Sequence, residues 1–225
     1  MAAPDVPAAR CVALDVDYHL PSGAVPALRG VDAVFARGRF SVVTGPSGSG
    51  KSSLLRTLAG RQRPSAGLVE VEGHDLTALR AGRRRWVRRR HVGVVLQDPA
   101  DNLVPYLRVR EQVELAARLR GADAGEAPAL LEALGLGALH DRLPPELSGG
   151  EQQRVAFAAA AVGGPAVLLA DEPTAELDGA AAALLVDALR TLVDRGGTLV
   201  VASHDDDVVA AADHVVAIRD GRVVS

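Results

Sequence analysis

Phe40-Ser41-Val42-Val43-Thr44-Gly45-Pro46-Ser47-Gly48-Ser49-Gly50-Lys51-Ser52-Ser53 is the stretch that decides how this 225-residue chain reads. A β-branched apolar run enters the pattern G-x-x-x-x-G-K-[ST], and a helix-forming stretch, 53–59, leaves it. Strand, glycine-rich loop and helix in that order form a phosphate cradle. The glycines let backbone N–H groups turn inward as an anion nest, and the helix N-terminus adds the positive end of its dipole. Lys51 is placed to reach terminal phosphates, and the Ser52 hydroxyl to ligate Mg²⁺. The candidate phosphate-binding residues are Gly45, Pro46, Ser47, Gly48, Ser49, Gly50, Lys51, Ser52 and Ser53. Chance would supply on the order of 10⁻³ such matches in a chain of this composition.

Composition singles out the same residue. Of 25 Lys and Arg side chains, 24 are arginine, and the one lysine is Lys51. The planar guanidinium and the compact ammonium do not interchange where space is tight, so the surviving lysine marks a chemical requirement. A chain that is 48% hydrophobic and 24% charged can bury a sizeable core, which excludes a disordered tail or a fibrous repeat. The single cysteine, Cys11, cannot form an internal disulfide, and residues 1–10 show no charged-then-apolar leader, so a cytoplasmic protein is expected. Apolar runs such as 155–162 and 166–170 fall far short of the roughly 20 residues that span a bilayer. Any work at a membrane then needs another chain to do the crossing.

The formal net charge of −3 conceals an asymmetry. Arg80, Arg83, Arg84, Arg85, Arg88, Arg89 and Arg90 place seven positive charges with no acid between Leu76 and Gln97, leaving −10 for the rest. A nucleic-acid binder would show a basic surface dominating the domain, so nucleic acid is not an expected partner. The run 83–90 reads as a solvated helix face, or as a contact for anionic lipid or an acidic surface.

Short β-branched runs at 41–44, 68–71, 92–96, 167–170, 198–202 and 214–218 read as buried strands, several followed by helix-length apolar periodicity. That alternation predicts an α/β layered fold with a largely parallel sheet. Between 107 and 145 the β signal gives way to helices at 109–120 and 127–134, ending in Pro144-Pro145, which predicts an inserted helical subdomain. A helix over 179–195, apolar at Ala182, Leu185, Ala188, Leu189 and Leu192, is expected to pack on the sheet and stop at Gly196-Gly197. The apolar run Val167-Leu168-Leu169-Ala170 ends in Asp171-Glu172. A carboxylate at a strand end beside the cradle suits Mg²⁺, and the adjacent Glu172 can polarise a water for attack on a γ-phosphate.

Leu147-Ser148-Gly149-Gly150-Glu151-Gln152-Gln153-Arg154 begins 95 residues beyond Ser52 and resembles the LSGGQ signature of ATP-binding cassette (ABC) ATPases. In the order that family shows, Gln97 in Val95-Leu96-Gln97-Asp98-Pro99 resembles its Q-loop. Ala175-Glu176-Leu177-Asp178 resembles the D-loop and Ala202-Ser203-His204-Asp205 the switch histidine. Tyr18 sits where the family places an aromatic against adenine. The resemblance covers essentially the whole chain. It implies an α/β P-loop NTPase core of the ABC ATPase type (1–97 and 164–225) with an N-terminal antiparallel β region, and an inserted α-helical subdomain (98–163) carrying the signature.

The resemblance further implies ATP and Mg²⁺ as cofactors, with Ser52, Gln97 and Asp171 around the metal and Glu172, His204 and Gln97 catalytic. Tyr18, Ser148, Gly149, Gly150, Glu151 and Asp178 join the nucleotide contacts. Ser148 and the Gly149-Gly150 amides would begin a helix over 151–162, a second helix N-terminus suited to a γ-phosphate held by another subunit. One copy of each motif implies a second ATP-binding subunit, as in a homodimer. Asp205, Asp206 and Asp207 are expected to favour the next helix N-terminus, a structural role. His19, His74, His91, His140 and His214 form no ligand-spaced cluster. Two departures stand out: Ala159 replaces the arginine usual on the signature helix, and 98–105 is a couple of residues longer than in the lipoprotein-releasing and macrolide-exporting branch.

The function so implied is that of the ATP-hydrolysing subunit of an ABC transporter, peripheral on the inner face of the membrane through a separate permease chain. Leu28-Arg29-Gly30-Val31, Asn102-Leu103-Val104-Pro105, Ala212-Asp213-His214-Val215 and Arg219-Asp220-Gly221-Arg222 look most like the lipoprotein-release, macrolide-export and cell-division branch. Gln97-Asp98-Pro99 also occurs in importer ATPases for vitamins, metals or peptides, so an importer stays open. Soluble ABC ATPases of DNA repair or translation carry tandem cassettes or long coiled-coil insertions, neither visible here. A degenerate scaffold cassette conflicts with the presence of Lys51, Asp171, Glu172 and His204.

Overall fold

Two cores on opposite sides of one sheet account for strands that are apolar at nearly every position. The computed structural model describes residues 6–21 and 23–224. The leader expectation for residues 1–10 therefore falls partly outside them, as does the side chain of His19. The chain runs through β1 (Ala9–Leu20), β2 (Gly23–Phe35), β3 (Phe40–Thr44), α1 (Lys51–Leu58), β4 (Ala66–Val71), β5 (His74–Asp75), α2 (Ala81–His91) and β6 (Val92–Val95). Three helices follow, α3 (Val109–Arg120), α4 (Ala127–Ala133) and α5 (Gly149–Ala161). Then come β7 (Val167–Asp171), α6 (Gly179–Asp194), β8 (Leu199–Ala202), α7 (Asp206–Ala210), β9 (His214–Arg219) and β10 (Arg222–Val224).

Six strands form the main sheet in the order β10-β9-β3-β8-β7-β6, parallel except for the β9–β10 edge hairpin. Successive residues point to opposite faces, so each strand feeds both cores. Val42, Leu168, Ala170 and Val201 pack with α3, α4, α5 and α6 on one side. Val43, Leu169, Val200 and Ala202 pack with Leu54, Leu55 and Leu58 of α1 and with the N-terminal strands on the other. Covering both faces is what parallel strands require, and each fully buried Leu or Phe contributes about 1.5–3 kcal/mol.

The strand expected at 68–71 belongs to the expected N-terminal antiparallel β region. It lies in β4, within a second, four-stranded antiparallel sheet of order β2-β1-β4-β5. Its alternation fits that place: Val69 and Val71 are buried while Glu70 faces outward to pair with Arg10, the pattern of a sheet with one solvated face. Helix α3 has the expected bounds. Helix α6 buries Leu185, Ala188, Leu189 and Leu192 and ends before Gly196, whose φ is 90°. Helices α1 and α5 each begin two residues earlier than periodicity suggested, because their N-termini are set by the glycine loop and by a serine cap. Helix α2 carries the arginine run and buries only Val87. Its Trp86 packs against His74 and His91, whose ring centroids lie 5.4 Å apart, a grouping the spacing of these histidines did not reveal.

Candidate functional site

Parallel strands deliver their C-terminal ends to one edge of the sheet, and loops there collect the side chains that the sequence singles out. Gly45 to Ser52 follow β3, Gln97 follows β6, Asp171 and Glu172 end β7, and His204 follows β8. A cleft of about 410 Å³ on that edge is lined by Tyr18, Val25, Pro26, Ala27, residues 47–53, Gln97, Asp171 and Glu172. A larger cleft, about 630 Å³, opens at the opposite ends of β6, β7 and β8, beside Arg37, Glu72, His91 and Gly196. That one has no glycine nest at a helix N-terminus, so size does not identify the site.

The cradle is rigid because backbone walls it in. Gly45 has φ 148° and Gly50 φ 111°, both in the region that favours glycine. A Cβ on Gly45 would run into the carbonyl oxygen of Ile218, and one on Gly50 would sit 2.6 Å from the Ala27 carbonyl and 2.7 Å from Leu28. Gly221, in the β9–β10 turn, donates to the Ser49 carbonyl at 3.0 Å and braces the loop from behind. Gly50 is the N-cap of α1, no side chain caps that helix, and its first turn holds no acid. Its orphan N–H groups thus face the cleft as donors for an anion.

Lys51 is only 7% exposed. Its Nζ donates to the Gly45 carbonyl at 2.8 Å and the Pro46 carbonyl at 3.4 Å, and lies 3.4 Å from Oε1 of Glu172. The other carboxylate oxygen of Glu172 accepts from Nδ1 of His204 at 3.0 Å. Lysine, glutamate and histidine, 32 or more positions apart where the histidine is concerned, thus form one line across the cleft mouth. Glu172 adopts φ 46°, unusual for a residue with a side chain. Its N–H donates to Ala202 at 2.8 Å and its carbonyl accepts from Ala175, so β8 and the following turn hold the strained residue in place.

Tyr18 lines the cleft beside Ala27, with its hydroxyl 3.2 Å from the Ser53 hydroxyl. Asp171 has a buried Oδ1 with no hydrogen-bond partner among the described residues, an orphan that they do not satisfy internally. Together with the Ser52 hydroxyl in the same cleft it offers hard oxygen donors, which fits a magnesium ion entering with a nucleotide. Among the described residues no group of three or more His, Cys, Asp or Glu side chains could hold a metal alone.

The remaining expected residues form a second patch. Ser148 caps α5: its Oγ accepts from Glu151 N–H at 3.3 Å, and Glu151 Oε2 accepts from Ser148 N–H and Oγ, both at 2.8 Å. These bonds, the backbone one first, lower the Glu151 carboxyl below its ordinary pKa. Asp178 caps α6 through Ala181 N–H at 2.8 Å, and Gly150 abuts Ala181. Ser148, Gly149, Gly150, Glu151 and Asp178 thus lie side by side, and none of them lines the cleft. Ala159 packs against the helical core with no polar contact.

Several positioning groups were invisible in the sequence. Asn102 accepts from Leu96 N–H at 2.7 Å and donates to the Leu96 and Asp98 carbonyls at 3.0 and 2.8 Å, clasping the loop that carries Gln97. Asp205, expected only to favour α7, also accepts from the Thr174 hydroxyl at 2.8 Å, stapling the loop after Glu172 to the loop of His204. Thr174→Val is expected to lower kcat about tenfold with KM for ATP nearly unchanged, and Thr174→Ser to restore it. Steady-state kinetics of the two variants check this; an equal loss in the serine variant would count against the staple.

Fold and cleft define a P-loop nucleotide-binding ATPase. The ABC transporter family matches residues 28–175. The macrolide export ATP-binding/permease protein MacB of Nitrosomonas europaea is 40% identical over 205 residues, 89% of this chain and 31% of that protein. The chain therefore spans about a third of that relative's length. The lipoprotein-releasing system ATP-binding protein LolD 2 of Caulobacter vibrioides is 41% identical over 211 residues, 92% of each. A dimeric post-hydrolysis state of the ATP-binding cassette MJ0796 bound to ADP and Pi superposes with TM-score 0.85 at 30% identity, covering 96% of this chain and 97% of that one. The chain belongs to the ABC transporter family, as an ATP-binding cassette that hydrolyses ATP.

Proposed function

We propose that this chain is the engine of an export or lipoprotein-release transporter, working on a separate membrane permease. The observation that carries the reading is the convergence of Lys51, Glu172 and His204 at the mouth of the glycine nest. Magnesium, held by Ser52, Asp171 and Gln97, would supply charge neutralisation at the β- and γ-phosphates. Lys51 holds the terminal phosphates with the α1 amides. Glu172 takes the proton of the attacking water, and His204 fixes the carboxylate that does so. Tyr18 lies against the adenine.

The second patch, Ser148 to Glu151 with Asp178, completes the site of another copy, which closes two ATP molecules into a homodimer. The same separation of patches supports this, as does the dimeric state named for the similar cassette. The helical insert, taken as 98–163, is the body that moves against the rest (1–97 and 164–225), with the Gln97 loop as the joint. Among the described residues no helix is long and apolar enough to cross a membrane. In this reading a permease does the crossing. Residence on the cytoplasmic face follows from that role. Relatives named for macrolide export and lipoprotein release support the direction.

Co-purification with the membrane protein encoded beside its gene tests the assignment. A four-span partner with a large extracytoplasmic domain, which raises ATP turnover of the chain, is the expected result. A compact five- or six-span partner would replace the export reading by an importer.

A further inference from the structure

We propose that a cleft between α1 and α2 is a binding site for the phosphate of an acidic phospholipid headgroup. The proposal rests on the transporter reading only in placing the chain within reach of a bilayer. Arg61, just beyond α1, and Arg85, Arg88 and Arg89 of α2 line an opening of about 270 Å³ floored by Ala59, Val92 and Val94. No carboxylate lines it. Among the described residues none of these four guanidiniums makes an ion pair or donates a side-chain hydrogen bond, while seven ion pairs of Lys or Arg form elsewhere in a chain of net charge −3. Arg88 is held below its ordinary pKa by burial and by Arg61, Arg84 and Arg85, so the crowding is uncompensated.

Four arginines around one opening without an acid supply the donors that phosphate oxygens accept from, and the guanidinium fork suits that anion. The surroundings favour a headgroup over a free anion. Helix α2 buries only Val87, and Arg83, exposed like Arg85 and Arg89, adds a further positive charge on the same helix. Trp86, on the same helix, is 37% exposed, with the Arg83 guanidinium 4.0 Å from its ring centre. An indole among arginines on a surface helix is the pairing that settles at a lipid interface, where clustered basic residues attract anionic leaflets.

The test is sedimentation of the full chain with vesicles of phosphatidylglycerol and phosphatidylcholine against vesicles of phosphatidylcholine alone, with ATP turnover measured in parallel. Preferential binding to the anionic vesicles is expected, falling by about 100-fold in Arg85→Gln/Arg88→Gln/Arg89→Gln and in 0.5 M salt as an experimental condition, on the order expected for three interfacial charges. The milder Arg85→Gln/Arg89→Gln, at two exposed positions, should lose about 30-fold and melt like the parent. Turnover without vesicles stays unchanged, since these residues lie outside the nucleotide cleft. Binding that ignores lipid charge, or that survives both variants, overturns the proposal. Release by low-millimolar inorganic phosphate overturns the membrane assignment in favour of a free anion, and vesicle-independent capture of an acidic permease segment overturns it in favour of protein. Absence of turnover in the parent would sink the ATPase reading alone.

Discussion

Glu172→Gln is expected to bind ATP at least as tightly as the parent while kcat falls by about 10²–10⁴-fold, the usual contribution of a general base. The substitution keeps the shape of the side chain and can still accept from Nδ1 of His204, now 3.0 Å from Oε2. Among the described residues it removes the only carboxylate bonded to that histidine, which is also the one 3.4 Å from Lys51. What is lost is the acceptor for the water proton. What is gained is relief from a negative charge facing a negative γ-phosphate, so the nucleotide is held and the ATP-closed dimer persists. Calorimetry for binding, phosphate release for turnover and light scattering with ATP for assembly give the three readings. Hydrolysis at the parent rate would show that another group activates the water.

The core of the fold was legible because its strands are buried on both sides. Val42-Val43, Leu168-Leu169 and Val200-Val201 each divide between two cores, so runs without alternation could be read directly as parallel strands. Strand β4 is legible as a strand, but a four-residue run does not name its neighbour; its antiparallel pairing, Ala9 with Val71, does. The long hairpin of β1 and β2 gave a weak signal because bulges break its register between Cys11 and Asp17.

The same division holds at the site. Residues 45–53, proposed to hold phosphate, sit in one continuous motif whose spacing is chemistry, and the cleft they line was legible from it. The residues that position them were not. Thr174 meets Asp205 across 31 positions only because β7 and β8 are adjacent, and Asn102 closes on Leu96 through a loop whose path no local pattern fixes. Side-chain hydrogen bonds of this kind depend on where strands end, which the chain reveals only when folded. The arginine run was legible as a charge and as a helix, while its meeting with Arg61 around one opening depends on the fold, in which the Arg88 stem lies close to Gly60 in the turn after α1.

Lys51→Arg is expected to abolish detectable turnover and weaken ATP binding by about 10–100-fold, although the positive charge is kept. Losing a charge-assisted hydrogen bond costs about 1.5–3 kcal/mol, which sets that range. Elsewhere the chain uses arginine at all 24 of its other Lys/Arg positions, so tolerance of the fork is general and its exclusion here is local. The exclusion is steric. The ammonium occupies a space closed by the Gly45 and Pro46 carbonyls and by Glu172, and the loop cannot retreat because Ile218 and Ala27 stand behind it. A guanidinium in that space must either displace the Glu172–His204 pair or withdraw from the phosphates. Lys51→Met separates size from charge, since it keeps a slim stem and drops the ammonium. If charge alone mattered, arginine would rescue and methionine would not; the packing of the nest instead predicts that both fail, with arginine the more damaging to turnover. Binding isotherms, turnover and melting curves of the two variants distinguish these outcomes, and an arginine variant within twofold of the parent would show that the lone lysine is not required by the space it fills.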